Sequence, residues 1–231
     1  MREIVFDTET TGLDHLQGDR LVEIGCIELV NRFSTGRTFH CYFNPERDMP
    51  EQAFKIHGLS IEFLKDQPLF AHKVEELISF LGEAQLVAHN ATFDLSFLNA
   101  ELERAGRALV SRDRIVDTLL LARRKHPGGA NRLDDLCARY GIDNSRRTKH
   151  GALLDAELLA EVYIELVEAR QAQLVLSQSA TSARLPGEPI IVRERPLPLA
   201  MRVSVEERAT HRAFVATLGE TPIWLDYFSS D

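Results

Sequence analysis

Cysteine is scarce in this sequence: Cys26, Cys41 and Cys137 are the only three among 231 residues. They are odd in number, far apart and free of any C-x-x-C pairing, so neither a disulfide framework nor a zinc knuckle is supported. A reducing cytoplasm is the simplest setting. Long apolar runs are missing too, and none approaches the ~20 residues needed to span a bilayer, so no membrane association is expected. Residues 1 to 6 do not follow the charged-then-apolar pattern of a signal peptide. Positive charge is also short: 27 Lys and Arg face 35 Asp and Glu, for a formal net charge of −8. A protein that grips a polyanion by itself usually carries a basic surface, because affinity comes from neutralising phosphates. If this chain handles nucleic acid, bound metals or a partner must help to bring it in. Apolar residues are not in deficit. Hydrophobic residues at 44% and charged residues at 27% suffice for a packed core and exclude wholesale disorder.

The first half reads as strands followed by helices. Glu3 to Asp7 is a short apolar run ending on a carboxylate, and Leu21 to Val30 is long enough for a full strand. Thr38 to Asn44 alternates, with Phe39, Cys41 and Phe43 on one side and His40 and Tyr42 on the other. Short connections make these three an antiparallel meander. Val74, Leu77, Ile78 and Leu81 then fall at helical spacing, and Gly82 suits the stop. Leu86 to His89 predicts a strand, and a helix from about Thr92 turns Phe97, Leu98, Leu102 and Ala105 inward. Ile115 and Val116 make a brief strand, and Leu119 to Lys125 a helix stopped by Pro127. Asn131 is the expected N-cap of the next helix, which ends at Gly141, and a last long helix runs from about Ala152 past Val167. Three meandering strands followed by alternating helices and strands predict an α/β protein with a mixed sheet and helices on both faces.

The acidic residues are placed unevenly. Asp7 and Glu9 end the first strand and share a face, because side chains repeat every two residues. Alone, such a pair reads as a solvated strand end; crowded, each raises the other's pKa unless a cation sits between them. Asp94 falls at a strand-to-helix junction, where the helix dipole favours its ionised form and by itself explains an acid there. His150 and Asp155 are five apart, too far around one helix to meet. They converge only if His150 lies on the loop and Asp155 inside the helix, a break that Gly151 makes plausible. Four such carboxylates can hold two hard divalent cations through oxygen, the clamp for in-line displacement at phosphorus. A neutral histidine can take the proton from an attacking water. Carboxylates and histidine without cysteine argue for Mg2+ or Mn2+ over zinc.

Three strings carry a resemblance to a known family. Phe6-Asp7-Thr8-Glu9-Thr10-Thr11-Gly12, His89-Asn90-Ala91-Thr92-Phe93-Asp94 and His150-Gly151-Ala152-Leu153-Leu154-Asp155-Ala156 resemble, in order, the three motifs of the DEDDh (DnaQ-like) exonucleases. The resemblance covers about the first three quarters and is closest to the proofreading subunits of bacterial DNA polymerase III. It implies a ribonuclease-H-like fold and 3′→5′ hydrolysis of DNA. It also implies that Asp7, Glu9, Asp94 and Asp155 are ligands of two divalent metal ions and that His150 is the general base. Residues 52 to 58, Gln52 to Gly58, look like the family's loop over the 3′-terminal nucleotide, with His57 matching a substrate contact and Gln52 standing where an acidic residue is common. Asn90 and Phe93 are candidate contacts to the terminal base; a helix cap and a core aromatic explain them equally. Asp7, Glu9 and Asp155 would also face the substrate. Asp117 caps a helix as readily as it assists the site, and it is not counted among the ligands.

The composition shifts near residue 177. The expected organisation is an exonuclease domain over 1–176, a Ser-, Ala-, Thr-, Pro- and Gly-rich linker over 177–202, and a tail over 203–231. Ser204 and Glu207 form a capping-box pattern, and Phe214, Leu218 and Trp224 would supply the docking contacts to a partner. The resemblance implies that this partner is the catalytic subunit of the polymerase, within a cytoplasmic, nucleoid-associated replisome. Gln171, Leu174 and Leu176 resemble a relaxed Q-x-x-L-x-L clamp-binding peptide, or else they finish the last helix's packing. Two other functions stay open at this level. The core motifs do not separate a DNA exonuclease from an RNA trimmer, since both polymers share the phosphate. A mainly structural subunit that stabilises a polymerase is a further alternative, although all five motif positions are filled.

Overall fold

β1 (Arg2–Thr10) is buried on both faces, with Ile4, Val5 and Phe6 inaccessible to solvent, as the central strand of a sheet covered on both sides must be. The computed structural model describes residues 1–147, 149–168 and 203–218. β1 pairs antiparallel with β2 (Leu21–Val30), which pairs antiparallel with β3 (Phe33–Tyr42). On its other side β1 runs parallel to β4 (Gln85–Ala88), and β4 parallel to β5 (Ile115–Asp117). The five-stranded order is β3-β2-β1-β4-β5, the mixed sheet that the meander and the alternation predicted. Parallel neighbours need crossover connections, and helices supply them.

The two faces of the sheet build separate cores. Ile4, Phe6, Ile24 and Leu86 pack against α3 (Phe70–Leu81) and α4 (Thr92–Arg104) through Val74, Leu77, Leu98 and Leu102. Each such buried aliphatic side chain contributes roughly 1.5–3 kcal/mol over its exposed state. Val5, Ile27 and Val87 on the opposite face pack against α7 (Ala152–Leu166) through Ala156, Leu159 and Tyr163. α5 (Thr118–Lys125) and α6 (Leu133–Tyr140) lean on the outer side of α7, where Ala122, Leu136 and Cys137 meet Leu158 and Val162.

Several sequence expectations change in detail. Residues 52 to 58 are not a loop: α1 (Glu51–His57) is a helix ended by Gly58 in the left-handed conformation (φ 75°), and a short α2 (Ile61–Leu64) follows. α1 buries only Ala53 and His57 and leaves Ile56 half-exposed, so its sequence carries no apolar stripe to read. Asn131 is not the N-cap of α6. That position is Arg132, whose backbone N–H donates to Asp135, while the Asn131 amide turns back to the carbonyls of Gly129 and His126. β1 and β3 are longer than expected, and β1 carries Glu9 within the strand.

The chain divides into two compact units, Met1–Leu174 and Val175–Asp231. In the second, α8 (Val205–Ala216) begins with the expected capping box: Ser204 Oγ accepts from the Glu207 N–H, and Glu207 accepts from the Ser204 N–H. Val215 is buried, whereas Phe214 and Leu218 are exposed. Gln171, Leu174, Leu176 and Trp224 lie outside the described residues.

Candidate active site

The carboxyl ends of β1, β4 and β5 open into one cleft of about 1170 Å³. In open α/β sheets ligands bind at the strands' carboxyl ends where the chain switches direction, and here it leaves β1 for one side of the sheet and returns on the other. Asp7, Glu9, Asp94, His150 and Asp155 all line this cleft, as do Asn90 and Phe93.

Each element delivers its residue for a local reason. Asp7 sits opposite Gly25 in the β1–β2 ladder. A Cβ at position 25 would stand 2.3 Å from the backbone of Leu153, so only glycine lets the first turn of α7 come this close to Asp7. That approach brings Asp155 into the cleft. Asp94 lies in the first turn of α4, and Thr8 Oγ1 donates to its Oδ1 at 2.7 Å, tying β1 to α4 across the site. His150 lies on the loop and Gly151 caps α7, so the break expected there is present, and His150 Nδ1 stands 3.2 Å from Asp155 Oδ2.

The electrostatics are those of crowded acids. Burial raises Asp7 well above the ordinary carboxylate range, and the neighbouring Asp94, Glu9 and Asp155 add to it. Glu9 is raised to about 8 by burial first and then by Glu23, Asp155 and Asp94. Asp94 is raised to about 7 by burial, against the opposing hydrogen bond from Thr8. Burial acts in the same direction on Asp155, but the hydrogen bonds from Arg147 and His150 outweigh it and hold its carboxyl low. Glu9, His150 and Asp155 each offer a ligand atom within 4.8 Å of the others. Oxygen-rich donors that repel one another and converge on one cleft fit a hard divalent cation.

Not every expected residue joins them. His57 is buried, and Gln52 is exposed on α1; neither lines the cleft. α1 is nonetheless held to the site's loop, because the His150 N–H donates to the Ile56 carbonyl. The Leu59 N–H donates to His57 Nδ1 at 3.0 Å, which leaves the ring proton for Nε2. Asn90 takes a positive φ of 61° and donates its N–H to Asp117, and Phe93 is half-buried against Phe97. Asp117 is the N-cap of α5, the first of the two roles its position allows.

Arg147 is the residue that sequence reasoning missed. It lines the cleft with its side chain only 8% exposed, and its Nε and NH2 reach both oxygens of Asp155 at 2.6 and 2.7 Å. The tandem Arg146-Arg147 gives no sign of which one turns inward; Arg146 is exposed and pairs with Glu157. Arg123 and Arg132 also line the cleft.

The sequence profile of the exonuclease (RNase_T) family matches residues 4–163. The chain belongs to that family. Within it, the similarity runs to the epsilon subunits of DNA polymerase III. The chain is 45% identical over 225 residues to DNA polymerase III subunit epsilon of Rickettsia felis, covering 96% of this chain and 98% of that one. It is 40% identical over 236 residues to the Escherichia coli protein of the same name, covering 96% and 97%. A solved structure of exonuclease X in complex with 5′ overhanging duplex DNA matches with a TM-score of 0.55 at 25% identity, over 72% of this chain and 91% of that one. Exonucleases of this family use divalent metals, which suits the donor set of the cleft. The epsilon-type sequence similarity extends past the exonuclease region into the second unit.

Proposed function

We propose that this exonuclease removes mispaired 3′-terminal nucleotides from DNA as the proofreading subunit of a bacterial replicative DNA polymerase III. The observation that carries the reading is the convergence of Asp7, Glu9, Asp94, His150 and Asp155 on one cleft in a chain of the epsilon type. Asp7, Glu9, Asp94 and Asp155 would hold two divalent cations, Mg2+ or Mn2+. Bound there, the ions supply Lewis-acid stabilisation of the charge that builds at the scissile phosphate. The remaining work falls to the chain. His150, on its loop at the mouth of the cleft, takes the proton from the attacking water. Asp155 orients the imidazole through its contact with Nδ1. Thr8 fixes Asp94, and the first turn of α7 fixes Asp155. Phe93 and Asn90 flank the terminal base. His57 and Gln52 are offered as contacts to the 3′-terminal nucleotide, on a helix tied to the loop of His150 through the Ile56 carbonyl.

The organisation we propose is the nuclease over 1–176, a linker over 177–202 and a docking tail over 203–231. The tail binds the polymerase's catalytic subunit through Phe214, Leu218 and Trp224, which places the chain in the cytoplasmic replisome. Gln171, Leu174 and Leu176 are offered as a sliding-clamp peptide. Clamp binding that survives Gln171→Ala with Leu174→Ala would remove that last reading. The function itself is tested by digesting a paired and a mispaired DNA primer terminus beside a matching RNA, with and without Mg2+. Mg2+-dependent release of nucleotides, fastest from the mispaired DNA, is expected; faster digestion of the RNA would make the protein an RNA trimmer instead.

A further inference from the structure

Asp7, Glu9, Asp94 and Asp155 crowd the cleft, yet a guanidinium already sits against them. The Arg147 guanidinium holds both oxygens of Asp155, at 2.6 and 2.7 Å. Its NH1 reaches Asp134 at 2.7 Å, and its NH2 reaches Nδ1 of His150 at 2.7 Å. Asp134 is 56% exposed at the cleft rim, so the arginine is anchored at both a buried and an exposed end. A planar fork bound to a carboxylate through two parallel N–H bonds is the strongest arrangement such a pair can adopt. It takes one lone pair on each Asp155 oxygen and sets a full positive charge where a metal cation would have to approach.

We propose that Arg147 is the site's built-in counter-cation, and that its guanidinium must release Asp155 before a divalent cation can take that carboxylate. The proposal rests on the reading of Asp155 as a metal ligand. Asp134 gives the arginine a place to remain when it lets go, so the exchange needs a side-chain swing at the rim and no movement of α7. The same swing acts on His150. Arg147 and Asp155 compete for Nδ1: while the arginine donates there, the neutral ring's proton sits on Nε2, Nδ1 cannot donate to Asp155, and no lone pair is free for water. Once the guanidinium has gone, Nδ1–H can face Asp155 and Nε2 becomes the acceptor. Metal loading and exposure of the base are thereby coupled through one side chain. Arg147 is a positioning residue in this account, and its signature is metal affinity rather than turnover alone.

The test uses the full chain. Mg2+ and Mn2+ affinities are measured by calorimetry for the wild type, Arg147→Met and Arg147→Lys. If the arginine-held state dominates by about tenfold, removing it should tighten metal binding by about the same factor, since apparent affinity scales with the competent fraction. Arg147→Lys keeps the charge and loses the fork, so it should also bind metal more tightly than the wild type. Wild-type affinity in Arg147→Lys would mean that charge alone acts, and would overturn the proposal; so would unchanged or weaker affinity in Arg147→Met. A second measurement does not depend on how the variants fold. The Nε–H resonance of Arg147 in the wild-type chain, assigned by nitrogen-15 NMR, should shift with Mg2+ and saturate at the calorimetric Kd. Binding of Mg2+ without that shift overturns the proposal and leaves the metal site standing. Absence of any Mg2+ binding would instead sink the metal site itself.

Discussion

Asp94 illustrates what one residue must do in this cleft: it accepts from Thr8 at 2.7 Å while burial raises its pKa to about 7. Such groups cost folding energy when ionised, and the sign of the resulting pH dependence follows. Asp7, Glu9 and Asp94 have folded-state pKa values above their unfolded ones. Their contribution to stability is therefore complete below an unfolded pKa near ~4 and is lost as pH rises through the folded values. Asp155, held low, acts oppositely, but its loss falls at pH below the unfolded value and outside this window. In chelator, the melting temperature should fall between roughly pH 4 and 8, and Mg2+ should flatten the curve because metal replaces protons on the same oxygens. Asp7→Ala should nearly abolish hydrolysis while raising the melting temperature in chelator, since it removes one repelling charge. A melting temperature in chelator that ignores pH, or full activity of Asp7→Ala at low Mg2+, would count against the assignment. His150→Ala should cost on the order of 10²–10⁴ in rate. If the variant kept the wild-type rate, the base would have to be sought elsewhere.

At the scale of elements, the site depends on how near α7 comes to the sheet, and Gly25 controls that distance. Any side chain there meets backbone atoms of Ala152 and Leu153, which cannot step aside as a flexible side chain can. Gly25→Ala should push the first turn of α7 outward and carry Asp155 with it. A displacement near 1 Å is enough to cost about 10²-fold in turnover, and overpacking should destabilise the fold by about 1–3 kcal/mol. Wild-type kcat together with wild-type Mg2+ affinity would show that the close approach is dispensable. The same elements explain what could be read in advance. The three motifs were legible because each is a local string at a strand end or helix start, where β1, α4 and α7 fix its direction. α1 was not, because Ala53 and His57 alone turn inward and Ile56 faces solvent. Arg147 was not, because its role comes from contacts with Asp134 and Asp155 across a loop, and nothing in Arg146-Arg147 distinguishes the two arginines.

At the scale of the whole chain, the question is how a protein with a net charge of −8 works on a polyanion. The cleft answers part of it. Arg123 and Arg132 line the same cleft as the acids and offer positive charge to a strand's phosphates. Two arginines do not make a basic surface, and the second unit offers the rest of the answer. Its helix α8 is properly capped, yet Phe214 is 60% and Leu218 49% exposed, an apolar presentation that suits a partner's groove. A segment this short rarely buries enough surface to fold alone, and the sequence between the two parts has the composition of a tether. If the tail docks as proposed, tethering to a polymerase would supply an effective concentration near millimolar, and the exonuclease would need little affinity of its own for DNA. Residues 1 to 176 alone should therefore remain an active nuclease on single-stranded ends and lose stable association with the polymerase. Pull-down of the polymerase at wild-type strength by the chain without residues 177–231 would refute the docking role. Loss of nuclease activity in that truncation would make the tail part of the catalytic fold.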